Sequence, residues 1–111
     1  MAEERDLKAG SPAAEAEVAL WRQRIDQIDT QLMGLLNSRS ACAVEIGRIK
    51  RAVGLAIYAP EREAEILERV MRENPGPLDA LAVRRVFERI IDESRRLERL
   101  AGHGGHQPQR P

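Results

Sequence analysis

A long stretch without proline is the feature that most constrains how this chain of 111 residues can fold. Across it, apolar or otherwise distinctive residues recur at alternating steps of four and three, which is a heptad seam. The seam consists of Trp21, Ile25, Ile28, Leu32, Leu35, Arg39, Cys42, Ile46, Ile49 and Val53. This spacing predicts one helix from about Ala13 to Arg51, roughly 50 Å long. Such a helix is longer than a compact domain of this size, so we expect a second copy of the chain to cover its apolar stripe.

The rest of the chain predicts two shorter helices and no strand. Pro60 opens the second helix, which ends near Glu73, and the third helix runs from about Leu78 to Leu100. Prolines and a glycine at 74–77 separate the two. The predicted fold class is therefore all-α, with a long, a short and a medium helix in each chain of an intertwined homodimeric helical bundle.

The ends of the chain are polar and differ from its centre. We expect a flexible N-terminal segment at 1–12, one folded domain at 13–101 and a disordered tail at 102–111, which is rich in glycine and proline. Ser11 is the expected N-cap of the first helix, and Pro12 is its expected first residue.

Composition excludes several classes of function. The 18 basic and 18 acidic side chains balance, which argues against a nucleic-acid partner or an anionic membrane surface. No apolar run predicts a signal peptide or a membrane span, so we expect a cytoplasmic protein. Cys42 is the single cysteine and is expected to be a small buried hydrophobe. His103 and His106 lie in the glycine-rich tail without fixed geometry, so no metal site is expected.

Polar residues occupy positions that the pattern places on or beside the inward faces of all three helices. They are Arg22, Arg39, Lys50, Glu63, Ser94 and Glu98. Burying a cation without a counter-charge costs several kcal/mol. A polar seam residue that fixes register, or a snorkelling side chain, would account for Arg39 alone. A small dianionic ligand held between the helices would account for the whole set.

Three segments, in order and with matching spacing, resemble the all-helical type II chorismate mutases. They are LWRQRIDQIDTQLMGLLNSRSACAVEIGRIK, IYAPEREAEIL and VFERIIDESRRLE, and the resemblance covers about residues 17–100. It implies an isomerase that converts chorismate to prephenate by an intramolecular Claisen rearrangement, on the route to phenylalanine and tyrosine, with no cofactor. It also implies a homodimer with two active sites, each completed by the other subunit's long helix.

The resemblance implies catalytic roles for three residues. Arg39 would hold a substrate carboxylate within its own subunit, Lys50 would contact a carboxylate and the ether oxygen, and Glu98 would face that oxygen from the opposite side. Only a protonated Glu98 can donate to the ether oxygen, because an ionised carboxylate would repel the developing charge. Activity is therefore expected to fall as rising pH removes this proton.

The resemblance also implies four substrate-binding residues. Arg22 would bind a carboxylate from across the dimer, and Ser94 would contact the ring carboxylate. Glu63 would accept a hydrogen bond from the ring hydroxyl, with Arg62 beside it as its orienting partner. Some relatives have an acidic residue where this chain has Ala59, which leaves the hydroxyl contacts less defined.

Two alternatives stay open from the sequence. An isochorismate pyruvate lyase would use the same scaffold for a related pericyclic step, although Glu98 and the intact PERE segment favour the mutase. A non-catalytic helical dimerisation or regulatory module would need neither Arg39 nor Lys50, yet both are present. The remaining arginines of the third helix, Arg95 among them, are expected on solvated faces interleaved with glutamate.

Overall fold

The computed structural model describes residues 9–104, with side chains as far as Ala101. It contains three helices: α1 (Pro12–Val53), α2 (Pro60–Glu73) and α3 (Ala80–Gly104). The described residues include no strand, which confirms the prediction of a long, a short and a medium helix. Within the described range, no helix has a stretch both long and apolar enough to cross a membrane. The predicted flexible segment and tail lie mostly outside the described residues.

Both ends of α1 follow from the local sequence. The Ala14 amide donates to Ser11 Oγ at 3.0 Å, which confirms Ser11 as the N-cap. At the other end Gly54 adopts a positive φ of 77°, and the Leu55 amide donates to the Lys50 carbonyl at 2.8 Å. This is a Schellman arrangement, which satisfies a carbonyl at the helix end and favours glycine at the left-handed position. The reversal directs the connector toward α2.

The third helix begins and ends slightly later than the sequence predicts. It starts at Ala80 because Asp79 acts as the N-cap: the Ala82 amide donates to Asp79 Oδ1 at 2.8 Å. It continues to Gly104, since no proline stands in its path before Pro108. The predicted limits were therefore wrong by two residues at the start and four at the end.

The chain divides into two compact units, Met1–Asn37 and Ser38–Pro111. The described part of the first unit is the leading portion of α1, and none of its residues is buried. Eight of its large apolar side chains are 45–69% exposed. They are Val18, Leu20, Trp21, Ile25, Ile28, Leu32, Met33 and Leu35. This unit therefore presents an exposed apolar surface along the helix.

The second unit has a core of its own, in which α2 packs against α3. Ile66 and Val70 from α2 meet Val83 and Ile91 from α3, and all four side chains are buried. Leu67 and Phe87 pack against this cluster and are partly buried. Ile91 is buried in this core, whereas its neighbour Ile90 is only partly buried.

At Gly47 the last part of α1 approaches the backbone of α3 closely. A Cβ atom built on Gly47 would lie 2.5 Å from the carbonyl oxygen and 2.8 Å from the Cα of Glu98. No other residue type fits without moving one of the two backbones. Ala43, one turn earlier, is also buried. The small residues thereby bring Lys50, one turn after Gly47, beside the Glu98 side chain.

Candidate active site

A cavity of about 420 Å³ lies within the second unit, a size typical of sites for small molecules. All three helices and the connector after α1 contribute to its wall. The lining residues are Arg39, Cys42, Ala43, Ile46, Lys50, Ile57, Ala59, Arg62, Glu63, Ile66, Ile91, Ser94, Arg95 and Glu98. Six of the seven predicted site residues are therefore brought together: Arg39, Lys50, Arg62, Glu63, Ser94 and Glu98.

Arg39 is the cation of this cavity that has no carboxylate partner among the described residues. Its Nη1 donates to Ser94 Oγ, and Ser94 Oγ in turn donates to the Ile90 carbonyl at 3.1 Å. Burial lowers the pKa of the Arg39 guanidinium, and repulsion from Arg62 and Arg69 lowers it further. A partly buried guanidinium among other cations is a suitable binding site for an anion.

Lys50 and Glu98 form an ion pair on the cavity wall. Lys50 Nζ lies 3.0 Å from Glu98 Oε1, and these side chains are only 17% and 15% exposed. The same ammonium donates to the Ile57 carbonyl at 3.0 Å, which ties the connector to α1. One of the three Nζ protons is then left for a ligand. Glu98 acts here as an acceptor, so its predicted role as a protonated donor stays a prediction.

Glu63 is oriented by Arg95 and not by Arg62. Arg95 Nη2 donates to Glu63 Oε1 at 2.8 Å, and Arg95 Nε donates to Glu63 Oε2 at 3.0 Å. This bidentate hydrogen bonding raises the pKa of Arg95. Arg62 pairs instead with Glu65 at 3.0 Å, on an exposed surface of α2. The expectation that Arg62 orients Glu63 was therefore wrong, because the side chain of Arg62 turns along its own helix.

Arg95 is the residue at this site that sequence reasoning missed. It was expected on a solvated face, yet it lines the cavity and its guanidinium lies 5.5 Å from the centre of the Tyr58 ring. The partner Glu63 is 32 positions away in the chain. Within the run of arginines and glutamates in α3, the only available signal was the position of Arg95 directly after Ser94.

The structure contradicts the prediction for Cys42, whereas the predicted role of Arg22 stays a prediction. Cys42 was expected to be a buried hydrophobe but is exposed and lines the cavity, so that prediction was wrong. The cause is that α1 turns this position toward the open cavity and not toward packed side chains. Arg22 lies in the first unit, is exposed and is not among the lining residues. Its predicted contact requires a second chain.

The cavity has an excess of positive charge. Four basic side chains line it against two carboxylates: Arg39, Lys50, Arg62 and Arg95 against Glu63 and Glu98. The excess of two charges complements a dianion. Among the described residues, no group of three His, Cys, Asp or Glu side chains is arranged to hold a metal ion. The His103 side chain and His106 lie outside the description.

Comparison with known proteins identifies the family. The type II chorismate mutase family matches residues 21–99. A bifunctional chorismate mutase/prephenate dehydratase from Stutzerimonas stutzeri is 38% identical over 82 residues, which are 69% of this chain and 22% of that protein. The chain thus spans about a quarter or less of the length of the bifunctional relatives it resembles.

Solved structures agree with this assignment. A chorismate mutase from Thermus thermophilus superposes with a TM-score of 0.72 at 34% identity, covering 74% of this chain and 93% of that one. A chorismate mutase from Helicobacter pylori, in complex with prephenate, gives a TM-score of 0.71 at 29% identity, covering 78% and 93%. With its three helices and its cation-rich cavity, this chain belongs to the type II chorismate mutase family.

Proposed function

We propose that this protein is an isomerase that converts chorismate to prephenate in the biosynthesis of phenylalanine and tyrosine. The observation that carries the proposal is the cavity of about 420 Å³, in which Arg39 and Lys50 converge within an excess of two positive charges. Chorismate is a flexible dicarboxylate of suitable size. The Helicobacter pylori relative, with the same fold, binds prephenate, the product of this reaction.

The first task of such an enzyme is to hold the substrate in its compact, chair-like reactive conformer. Arg39 is suited to grip one carboxylate, since its only hydrogen-bond partner among the described residues is the Ser94 hydroxyl. Lys50 has one proton free for the second carboxylate or for the ether oxygen. Fixing both ends of a flexible dianion removes the entropic part of the barrier without any nucleophile or metal.

The second task is to stabilise the charge that forms on the ether oxygen. In the rearrangement a C–O bond breaks as a C–C bond forms within one molecule, so no proton or electron leaves it. Lys50 and Glu98 stand 3.0 Å apart, which would let them approach one oxygen from two sides. Glu98 contributes a donor there only if substrate binding replaces its ion pair with a protonated carboxyl.

The remaining residues would bind the ring. Glu63, fixed at the cavity wall, would accept a hydrogen bond from the ring hydroxyl, and Ser94 would contact the ring carboxylate. Arg62 lines the same side of the cavity and would add positive potential there. Ala59 supplies no polar side chain, so only the backbone of the connector could contribute to this contact.

We also propose that the working form is a homodimer in which Arg22 of one chain completes the site of the other. Five exposed side chains of the first unit lie on the predicted heptad seam: Trp21, Ile25, Ile28, Leu32 and Leu35. A second copy of α1 would cover this stripe and carry its Arg22 along with it. The cytoplasmic location stays a prediction from the sequence.

The direct experiment is to follow the loss of chorismate absorbance after adding the purified chain, with the product identified as prephenate. Arg39→Ala should abolish the signal, whereas Arg48→Ala should retain it, because Arg48 pairs with Glu45 on an exposed face. Salicylate and pyruvate formed from isochorismate, without turnover of chorismate, would favour the lyase. A folded protein inactive on both compounds would favour the non-catalytic module.

A further inference from the structure

We propose that Arg95 is a positioning residue that fixes the Glu63 carboxylate in the orientation needed to accept the substrate's ring hydroxyl. The inference rests on the proposed function, since it concerns the proposed chorismate site. Arg95 is not one of the seven site residues predicted from the sequence. Arg95 would act entirely through Glu63 and would not touch the substrate.

The first support is the geometry of the pair. Arg95 holds one Glu63 oxygen at 2.8 Å and the other at 3.0 Å. A carboxylate on a free chain rotates broadly about its last torsion, but two parallel hydrogen bonds fix its plane. Each oxygen keeps lone-pair capacity for a further donor. Both side chains line the cavity and are largely buried, at 29% exposed for Arg95 and 22% for Glu63.

The second support is that Arg95 is itself held from other directions. Its guanidinium lies over the Tyr58 ring at 5.5 Å, within the range of a cation–π contact. Its Nη1 lies 3.5 Å from Asp92 Oδ1, one turn earlier on α3. The connector, α2 and α3 therefore meet at this one guanidinium. Support from several sides limits the conformations open to the pair, as positioning of a ligand contact requires.

The distribution of charge separates Arg95 from Arg39, the arginine proposed to hold a substrate carboxylate. Glu63 neutralises Arg95 through two hydrogen bonds, and Asp92 adds a second negative charge nearby. Arg39, in contrast, has no carboxylate partner among the described residues and is free to receive an anion. A substrate carboxylate would therefore be drawn to Arg39, and Arg95 would remain with Glu63.

A double-mutant cycle tests this coupling. Steady-state kcat and KM for chorismate are measured for wild type, Arg95→Ala, Glu63→Gln and the double variant. We expect Arg95→Ala to lower kcat/KM about 10- to 100-fold in wild type, mainly through KM, but less than about 3-fold in the Glu63→Gln background. Losses that multiply in the double variant would show that Arg95 acts independently of Glu63 and would overturn the proposal.

Matched variants separate positioning from a general structural role. Arg96→Ala removes the next arginine, which pairs with Glu93 on an exposed face, and should change kcat/KM less than about 2-fold. Arg95→Lys keeps the positive charge but cannot form the bidentate hydrogen bonds, so its loss of kcat/KM should also depend on Glu63. This variant replaces Arg95→Ala in the cycle if Arg95→Ala fails to fold. If wild type is active on chorismate and Arg95→Ala has the same kcat/KM, this inference fails and the proposed function stands. If wild type is inactive on chorismate, the proposed function fails as well.

Discussion

The leading part of α1 and the α2–α3 pair both carry apolar residues at helical spacing, yet only one of them buries those residues within the chain. Ile66 and Val83 are 7% and 8% exposed in the α2–α3 core. On the first unit, Ile28 and Leu35 are half exposed or more. Each exposed leucine or isoleucine forgoes up to about 2–3 kcal/mol of burial. From this contrast we propose that the α2–α3 core is complete in one chain, whereas the leading part of α1 requires a second chain.

The same contrast applies to charge. Arg39, in the second unit, is partly buried against Ser94 and lines the cavity. Arg22, in the first unit, is exposed and lines no part of the cavity of its own chain. We therefore propose that the second unit contains most of each active site, whereas the first unit supplies the dimer interface and one cation for the partner's site.

The largest expected effect comes from removing the partly buried cation. Arg39→Ala should reduce chorismate turnover about 100- to 1000-fold, because it deletes a charged donor placed for a substrate carboxylate. Circular dichroism and sedimentation should show a folded dimer, since the substitution leaves the α2–α3 core untouched. A folded variant with the rate of wild type would remove Arg39 from the site and favour the non-catalytic module.

A charge placed on the exposed heptad seam of the first unit tests the proposed dimer interface. Ile28→Glu should weaken dimerisation at least about 100-fold, because a dimer would have to bury an unpaired carboxylate. Analytical ultracentrifugation measures this directly, and turnover should fall with the loss of dimer. Met33→Glu is the control, since Met33 is also exposed but lies off the seam. If Ile28→Glu and Met33→Glu weaken dimerisation equally, the proposed interface is contradicted.

The two α1 glycines that lie in different units provide a smaller and more local test. Gly47→Ala should lower the free energy of unfolding by about 1–3 kcal/mol, because the new methyl would collide with the Glu98 backbone. Gly34→Ala meets nothing within 4 Å and should stabilise the protein by up to about 1 kcal/mol. Thermal or urea unfolding measures both. If Gly47→Ala leaves the free energy of unfolding unchanged, α1 and α3 do not approach this closely.

Most of the fold could be predicted because short-range features of the sequence determine it. Heptad spacing, the Ser11 cap and the break at 74–77 set three helices with nearly correct limits. The third helix starts two residues later than predicted because Asp79 caps it. Burial was harder to predict: Cys42 shares the spacing of its seam neighbours, but the cavity opens beside it.

The site was predictable only in part. Arg39 and Ser94 are 55 positions apart, and their proximity was inferred from the family resemblance because helical spacing does not encode it. The pairing of Arg95 with Glu63 depends on how α2 and α3 pack, so neither helix shows it alone. The predicted partner, Arg62, is adjacent to Glu63 in the chain, but neighbours along a helix point in different directions.

Subunit complementation tests most directly the central claim that two chains share each site. Arg22→Ala and Arg39→Ala should each be nearly inactive as homodimers, and their subunits can be mixed by joint unfolding and refolding. In a heterodimer one site regains both arginines, so about a quarter of the wild-type rate should return after random mixing. Heterodimers seen by native mass spectrometry without recovered activity, or an Arg22→Ala homodimer with the wild-type rate, would contradict the account.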